Sequence, residues 1–345
     1  MKSFVLDLLT GRGPLIPLLA LVLVGALIFL FASRLARQAD TIAKETGLGG
    51  LWIGSVLLAA STSLPEILTD VNAALLDLPD IGVGDLFGST LANMLILAAL
   101  DLIFARRRIL HQVAIGHAQV GLLGMALTVM AGLAIFTRGW GRIGHVGIET
   151  ILIAALYLGG MWLLYQSEVV TLLPEGDSHT RSPGRSRQLR GAAVGFALAA
   201  AGLAAVTPLL VLSAEAFSLE ARVTETFVGT LLVGLTTSFP EMAATFSAVR
   251  LGALDLAVGN VFGSNAFNMV VLLIMDAVYL RGPLLTMVSR DHLLTVLLAV
   301  ICLTLGLMAI LSRARRRPAP VMIESALIIG VYIVGAWLLS TMGTR

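Results

Sequence analysis

Charge is what this 345-residue chain has least of. Only 13% of it is Asp, Glu, Lys or Arg, where a soluble domain has about a quarter. With 57% hydrophobic residues and a mean hydropathy of +0.94, it lacks the polar surface to cover a fold in water, so lipid is its expected solvent. Cysteine is nearly absent: Cys302 stands alone, which excludes an intrachain disulfide. No strong excess of one sign is present either. The net charge is +2, and the arginines fall in short clusters between apolar runs, a pattern of membrane orientation rather than nucleic-acid binding. A cleavable signal is not expected. The first apolar run, Pro14 to Ala32, is 19 residues long, against roughly 7–15 for a signal core, and it reads as a retained spanning helix.

What is there in quantity is long apolar runs. A spanning helix needs about 20 residues, and on that measure ten are expected, at roughly 14–36, 48–76, 79–104, 111–136, 145–165, 191–216, 223–250, 254–280, 291–312 and 320–341. The fold class is therefore an all-α polytopic membrane protein. A polar Gly/Pro-rich stretch at 166–190 divides five runs from five and is too short for a folded regulatory domain. Placing the N-terminus outside puts 15 of the 23 Lys and Arg on the inner side, so both termini are expected outside and the 166–190 linker inside.

One stretch occurs twice. The first copy reads Thr62-Ser63-Leu64-Pro65-Glu66, then Gly88-Ser89-Thr90-Leu91-Ala92-Asn93; the second reads Thr237-Ser238-Phe239-Pro240-Glu241, then Gly263-Ser264-Asn265-Ala266-Phe267-Asn268. Aligning Gly54–Arg106 with Gly229–Arg281 without gaps gives 19 identities in 53 positions, at an offset of 175. Two repeats are expected, 1–165 and 191–345, each of five helices. An odd count makes the second copy enter the membrane from the opposite side, the inverted-repeat plan of secondary transporters, whose sites lie near the midplane between the copies.

Polar clusters inside hydrocarbon are costly and read as sites. Thr62, Ser63 and Glu66 fall on neighbouring faces of one helix, as do Thr237, Ser238 and Glu241. Pro65 and Pro240 have no N–H and leave the carbonyls of Ser61 and Thr236 without helical partners. Ser89 and Asn93, and Ser264 and Asn268, are one turn apart on the next helix. Gly84, Gly88, Gly259 and Gly263 let those helices approach their neighbours closely. Two carboxylates, several hydroxyls, two amides and freed carbonyls form a hard oxygen set that suits Ca2+ and can hold Na+. Zinc or copper would want imidazole or thiolate, and none of the five histidines lies in either motif.

These residues resemble the sodium/calcium exchanger family, whose two repeats each carry a Gly/Ser-Thr-Ser-x-Pro-Glu/Asp motif and a Gly-Ser-x-x-x-Asn/Asp motif. The resemblance implies an antiporter, not an enzyme, exchanging Na+ for Ca2+ by alternating access. It implies that Glu66 and Glu241 ligate Ca2+, that Thr62, Ser63, Ser89, Thr237, Ser238 and Ser264 line Na+ sites, and that Asn93 and Asn268 complete the centre. The runs at 14–36 and 191–216 would slide over the rest. It further implies three Na+ moving against one Ca2+. Asn at both 93 and 268 favours a potassium-independent exchanger. No cofactor, nucleic acid or obligate protein partner is expected, only the transported cations and the bilayer, in a prokaryotic inner membrane.

Repeat 1 departs from repeat 2 at Asp85, opposite Asn260, and at Thr90, opposite Asn265, and it also has Asp70 one helical turn after Glu66. One reading has Asp70 facing a wet vestibule and Asp85 bonded locally. The other makes them an extra cation or proton site, which opens H+/Ca2+ exchange as an alternative, since a carboxylate out of water holds its proton more readily. Gly82-Val83-Gly84-Asp85 also matches the Gly-x-Gly-Asp of intramembrane aspartyl proteases, but neither their Tyr-Asp nor their Pro-Ala-Leu occurs here. Glu149 and Glu324 are expected at water or lipid headgroups, and Asp101 and Asp276 are expected to pair with Arg106 and Arg281.

Overall fold

The computed structural model describes residues 2–46, 62–105, 109–169, 185–312 and 322–342. The elements are α1 (Lys2–Leu9), α2 (Leu15–Thr46), α3 (Leu64–Leu75), α4 (Pro79–Ile103), α5 (Ile109–Gln112), α6 (Gly116–Thr137), a two-residue ribbon of β1 (Arg142–Ile143) and β2 (Val146–Gly147), and α7 (Ile148–Val169). Then come α8 (Arg185–Ala221), α9 (Glu225–Thr237), α10 (Phe239–Leu251), α11 (Leu254–Val278), α12 (Leu284–Met287), α13 (His292–Leu311) and α14 (Ile323–Met342). Among the described residues seven helices are long and apolar enough to cross a membrane, and α9 with α10 forms an eighth, bent by 44°. Of the other expected runs, 145–165 is α7, and 48–76 is described only from Thr62.

Some boundaries differ from the apolar runs. The first helix does not stop near residue 36 but continues to Thr46, because Leu35 and Ala39 stay buried while Arg34 and Arg37 point away. That stretch is amphipathic, and run-counting does not see it. A further helix, α1, precedes it. Helix α8 starts at Arg185, inside the expected linker, whose residues 170–184 lie outside the described ones.

The proline breaks have matching geometry. Ser63 (φ −82°, ψ 2°) and Ser238 (φ −79°, ψ 2°) each precede a helix with proline in its first turn, where a missing N–H does no harm. Pro240 gives the Thr236 carbonyl no donor, and the chain bends there. Ser61, the corresponding position before Pro65, lies outside the described residues. Just before the second break, Val228–Val233 is wound as a π-helix, a local widening frequent at functional sites.

Helices α4 and α11 are central: 78% and 61% of their apolar windows are buried, against 28% for both α2 and α8. The latter two pack along each other at the periphery and leave Leu19, Leu23 and Leu198 exposed, the face expected toward lipid. Helix α4 meets α9 backbone to backbone. A Cβ on Gly84 would stand 3.0 Å from Gly229 Cα, one on Gly88 would overlap the Thr230 carbonyl, and one on Gly234 would stand 2.7 Å from the Gly88 carbonyl carbon. For Gly259 and Gly263 of α11 the matching positions, 54 and 55, lie outside the described residues. Gly259 faces the His117 ring at 3.0 Å, and Gly263 meets nothing within 4 Å among the described residues.

Four aspartates make matching polar contacts, as two pairs 175 residues apart. Asp80 accepts from Ser289 N (2.6 Å) and lies 2.9 Å from His292 Nε2; Asp255 accepts from Ala114 N (2.7 Å) and lies 3.1 Å from His117 Nε2. Asp101 accepts from Ser325 Oγ (2.6 Å) and Leu110 N (3.4 Å); Asp276 accepts from Thr150 Oγ1 (2.6 Å), Gly147 N (2.8 Å) and Leu284 N (2.7 Å). Each pair ties one half of the chain to the other. Two expectations are corrected here. Asp276 does not pair with Arg281, which bonds Asp77 at 2.8 Å; its own oxygens are taken by donors nearer to it, as Asp101's are, and Arg106 lies outside the described residues. Glu149 is not at a headgroup layer either. It is fully buried and accepts from Trp140 N at 3.1 Å, because the 142–147 ribbon folds over it.

Candidate cation site

The polar residues of both motifs converge. Thr62, Ser63, Glu66, Ser89, Asn93, Thr237, Ser238, Glu241, Ser264 and Asn268 all have no exposed surface, and neither do Asp70 and Asp85. Ser63 sits in the break before α3, Glu66 in its first turn, Ser89 and Asn93 in the middle of α4. Their counterparts occupy the α9–α10 break and the middle of α11.

Three contacts join the halves. The Ser63 and Ser264 hydroxyls are 2.9 Å apart, and each lies 3.4 Å from Glu241 Oε1, which Thr62 also reaches. Thr237 Oγ1 stands 2.7 Å from Asp85 Oδ1 and 3.3 Å from Ser89 Oγ, which is itself 3.2 Å from the same carboxylate oxygen. Asn93 donates to Asn265 Oδ1 at 2.9 Å. Glu66 lies against Glu241 and within electrostatic reach of Asp85.

What distinguishes the cluster is how much of it is unsatisfied. Both oxygens of Glu66, Oε2 of Glu241, Oγ of Ser238, Oδ1 of Asn93 and both polar atoms of the Asn268 amide have no hydrogen-bond partner. A buried polar atom left unpaired costs about 1–3 kcal/mol, more when charged, and native structures keep few of them. Nearly all of these are acceptors, so they call for a positive guest. Among the described residues no three acidic, imidazole or thiol groups converge tightly enough to hold a metal alone. A cation here would take carboxylate from Glu66 and Glu241 and complete its shell with hydroxyls, amide oxygens and the Thr236 carbonyl, the mixed oxygen shell that Ca2+ accepts.

The sodium/calcium exchanger protein family model matches the chain twice, at residues 16–166 and 191–341. The chain belongs to that family. The exchanger's two matched segments are themselves offset by 175 residues. It is 28% identical over 330 residues to the inner membrane protein YrbG of Escherichia coli K12, covering 92% of this chain and 95% of that protein. Two solved structures share its fold. The H+/Ca2+ exchanger CAX superposes with a TM-score of 0.67 at 13% identity, over 95% of this chain and 85% of that one. The sodium-calcium exchanger NCX_Mj superposes with a TM-score of 0.57 at 19% identity, over 92% and 96%. The exchanger is thus a membrane antiporter of the cation/Ca2+ superfamily, and its Gly-x-Gly-Asp at 82–85 places the aspartate among site hydroxyls.

Thr62, Ser63, Glu66, Ser89, Thr237, Glu241 and Ser264 are joined by contacts, Asn93 bonds Asn265, and Ser238 and Asn268 are buried with no partner for their side-chain polar atoms. One reading is corrected: Asp70 does not face a wet vestibule but is fully buried. Asp85 is bonded locally to Ser89, and it also reaches across to Thr237. Sequence reasoning missed Asn265, the partner of Asn93, and Thr245, which accepts from Asn260 at 3.2 Å. It also missed the Asp–His contacts. Their signal was present, since His117 and His292, and Asp80 and Asp255, stand at the same 175-residue offset as the motifs.

Proposed function

We propose that the exchanger moves Ca2+ against Na+ by alternating access at this cluster. Two inverted five-helix units, 1–165 and 191–345, joined by 166–190 on the cytoplasmic side, would bring the cluster to the midplane of ten spans. Both termini would lie outside a prokaryotic inner membrane. Glu66 and Glu241 are the central Ca2+ ligands. Thr62, Ser63, Ser89, Thr237, Ser238 and Ser264 supply hydroxyl or carbonyl oxygens to Ca2+ or Na+, and Asn93 and Asn268 close the shell. One observation carries the reading: two fully buried glutamates from opposite halves lie against each other with three of their four oxygens unpartnered. Two such charges cannot stay side by side in a dry interior without a counter-charge, and a transported cation supplies it.

H+/Ca2+ exchange is the second reading, favoured by the additional carboxylate contact between Asp70 and Asp85. The deciding experiment is radiolabelled Ca2+ uptake into proteoliposomes, driven in turn by an outward Na+ gradient and by a pH gradient. Uptake with the Na+ gradient alone, faster when the membrane potential favours net positive charge leaving with Na+, is expected. Uptake with only the pH gradient would replace Na+ by H+, and uptake with neither would end the antiporter reading.

A further inference from the structure

The buried acids do not stop at the central pair. Asp70 lies one turn beyond Glu66 on α3, and Asp85 one turn before Ser89 on α4, so both stand about 5 Å from the central ligands along their helices. The two helices run close there: a Cβ on Gly82 would lie 3.1 Å from Ala73 Cβ and 3.5 Å from Asp70 Cα. The Asp70 and Asp85 carboxylates lie against each other. Both oxygens of Asp70, Oδ2 of Asp85 and the hydroxyl of Thr69 are buried without a hydrogen-bond partner. Among the described residues no basic side chain pairs with either aspartate.

The other half provides the contrast. At the 175-residue offset Asp70 becomes Thr245 and Asp85 becomes Asn260, and those two bond each other, Asn260 Nδ2 to Thr245 Oγ1, at 3.2 Å. The neutral pair supplies one contact of its own, carries no charge, and leaves only Oδ1 of Asn260 without a partner. The acidic pair needs a guest. A proton shared between the two carboxylates would serve one oxygen of each and leave the rest, with Thr69, still bare. A cation contacts several oxygens at once.

We propose that Asp70 and Asp85, with the hydroxyls of Thr69, Ser89 and Thr237 around them, form a second cation station present in repeat 1 alone, one turn from the central site toward the Asp77 end of α3. Its ligand is a hard, oxygen-seeking cation of the kind the protein exchanges, Na+ or Ca2+. The proposal rests on the exchange reading above. With it, the ion path is charged on one side of the centre and neutral on the other.

The test counts bound ions on the full-length purified protein. Equilibrium binding of radiolabelled Ca2+, and the Hill coefficient for its displacement by Na+, are measured for the wild type, D70T/D85N, which copies the repeat 2 pair, and E66Q/E241Q. D70T/D85N is expected to lose one ion equivalent: one Ca2+ per chain if the station holds Ca2+, or a Hill coefficient lower by about one if it holds Na+. An unchanged Ca2+ count together with an unchanged Hill coefficient overturns the station and leaves the pair holding a proton. E66Q/E241Q reports separately on the centre, because Ca2+ binding equal to wild type there would sink the central-site reading and not this one. Should D70T/D85N fail to fold by thermal unfolding, D85N alone and the gain variant T245D/N260D carry the test, the latter expected to add one ion equivalent.

Discussion

The two copies of the motif differ most where their sequences agree. Ser63 and Ser238 occupy the same place in the same pentapeptide with the same backbone angles, yet Ser63 is joined to Ser264 and Glu241 while Ser238 has no partner. His292 is fully buried on Asp80, whereas His117 and Asp255 keep 21% and 60% of their side chains exposed. Equal sequences in unequal surroundings cannot be explained by local propensity. On the exchange reading the difference is the state itself: one side of the path is zipped and its counterpart is not, and the opposite state would exchange the two environments.

The most severe way to break the comparison is to remove a central charge. E66Q and E241Q, which keep the volume, are each expected to lower Ca2+ exchange more than about a hundredfold in proteoliposomes, with unfolding temperatures near wild type. Equal loss in both would show that the charge is shared between halves even though only Glu241 has hydroxyl contacts. The glycines come next. G88A must displace backbone and should destabilise by about 3 kcal/mol, read as a lower melting temperature in detergent, while G84A, whose Cβ would stand 3.0 Å from Gly229 Cα, should cost about 1 kcal/mol. Similar losses in the two would mean that α4 and α9 are as tightly packed at Gly84 as at Gly88. Removing the Asp80 charge should cost about 2 kcal/mol, since D80N weakens a bond to a buried imidazole and to Ser289 N. D255N, in an exposed pair, should cost about 0.5 kcal/mol. The smallest contrast is S325A against T150V. S325A leaves Asp101 with Leu110 N, and T150V leaves Asp276 with both Gly147 N and Leu284 N, so S325A should cost about 1 kcal/mol and T150V less.

Much of the site was legible because its signal is a spacing repeated with polar residues in register, which apolar drift cannot imitate. The spanning runs were legible for the same elementary reason, their length. Where reading failed, the cause was neighbourhood in space. Asp101 and Asp276 stand five residues before arginines, but their helices end at Ile103 and Val278, and the chain turns other donors toward them. The extension of α2 to Thr46 was hidden because an amphipathic helix does not lengthen an apolar run. The π-helical turn at Val228–Val233 carries no marker residue. Asp70 was ambiguous because one turn past Glu66 can face either water or a neighbouring helix; Gly82, by letting α4 come close, decides for the neighbour.

The glycine seam has a consequence for energy conservation. Where Gly84 and Gly88 lie against Gly229, Thr230 and Gly234, main chain touches main chain, and no side chain is left that could swing aside. A contact of that kind has no room for a file of water molecules, so neither a proton nor a bare ion can seep through it beside the coupled pathway. Along this seam an ion gradient has no route by which to discharge.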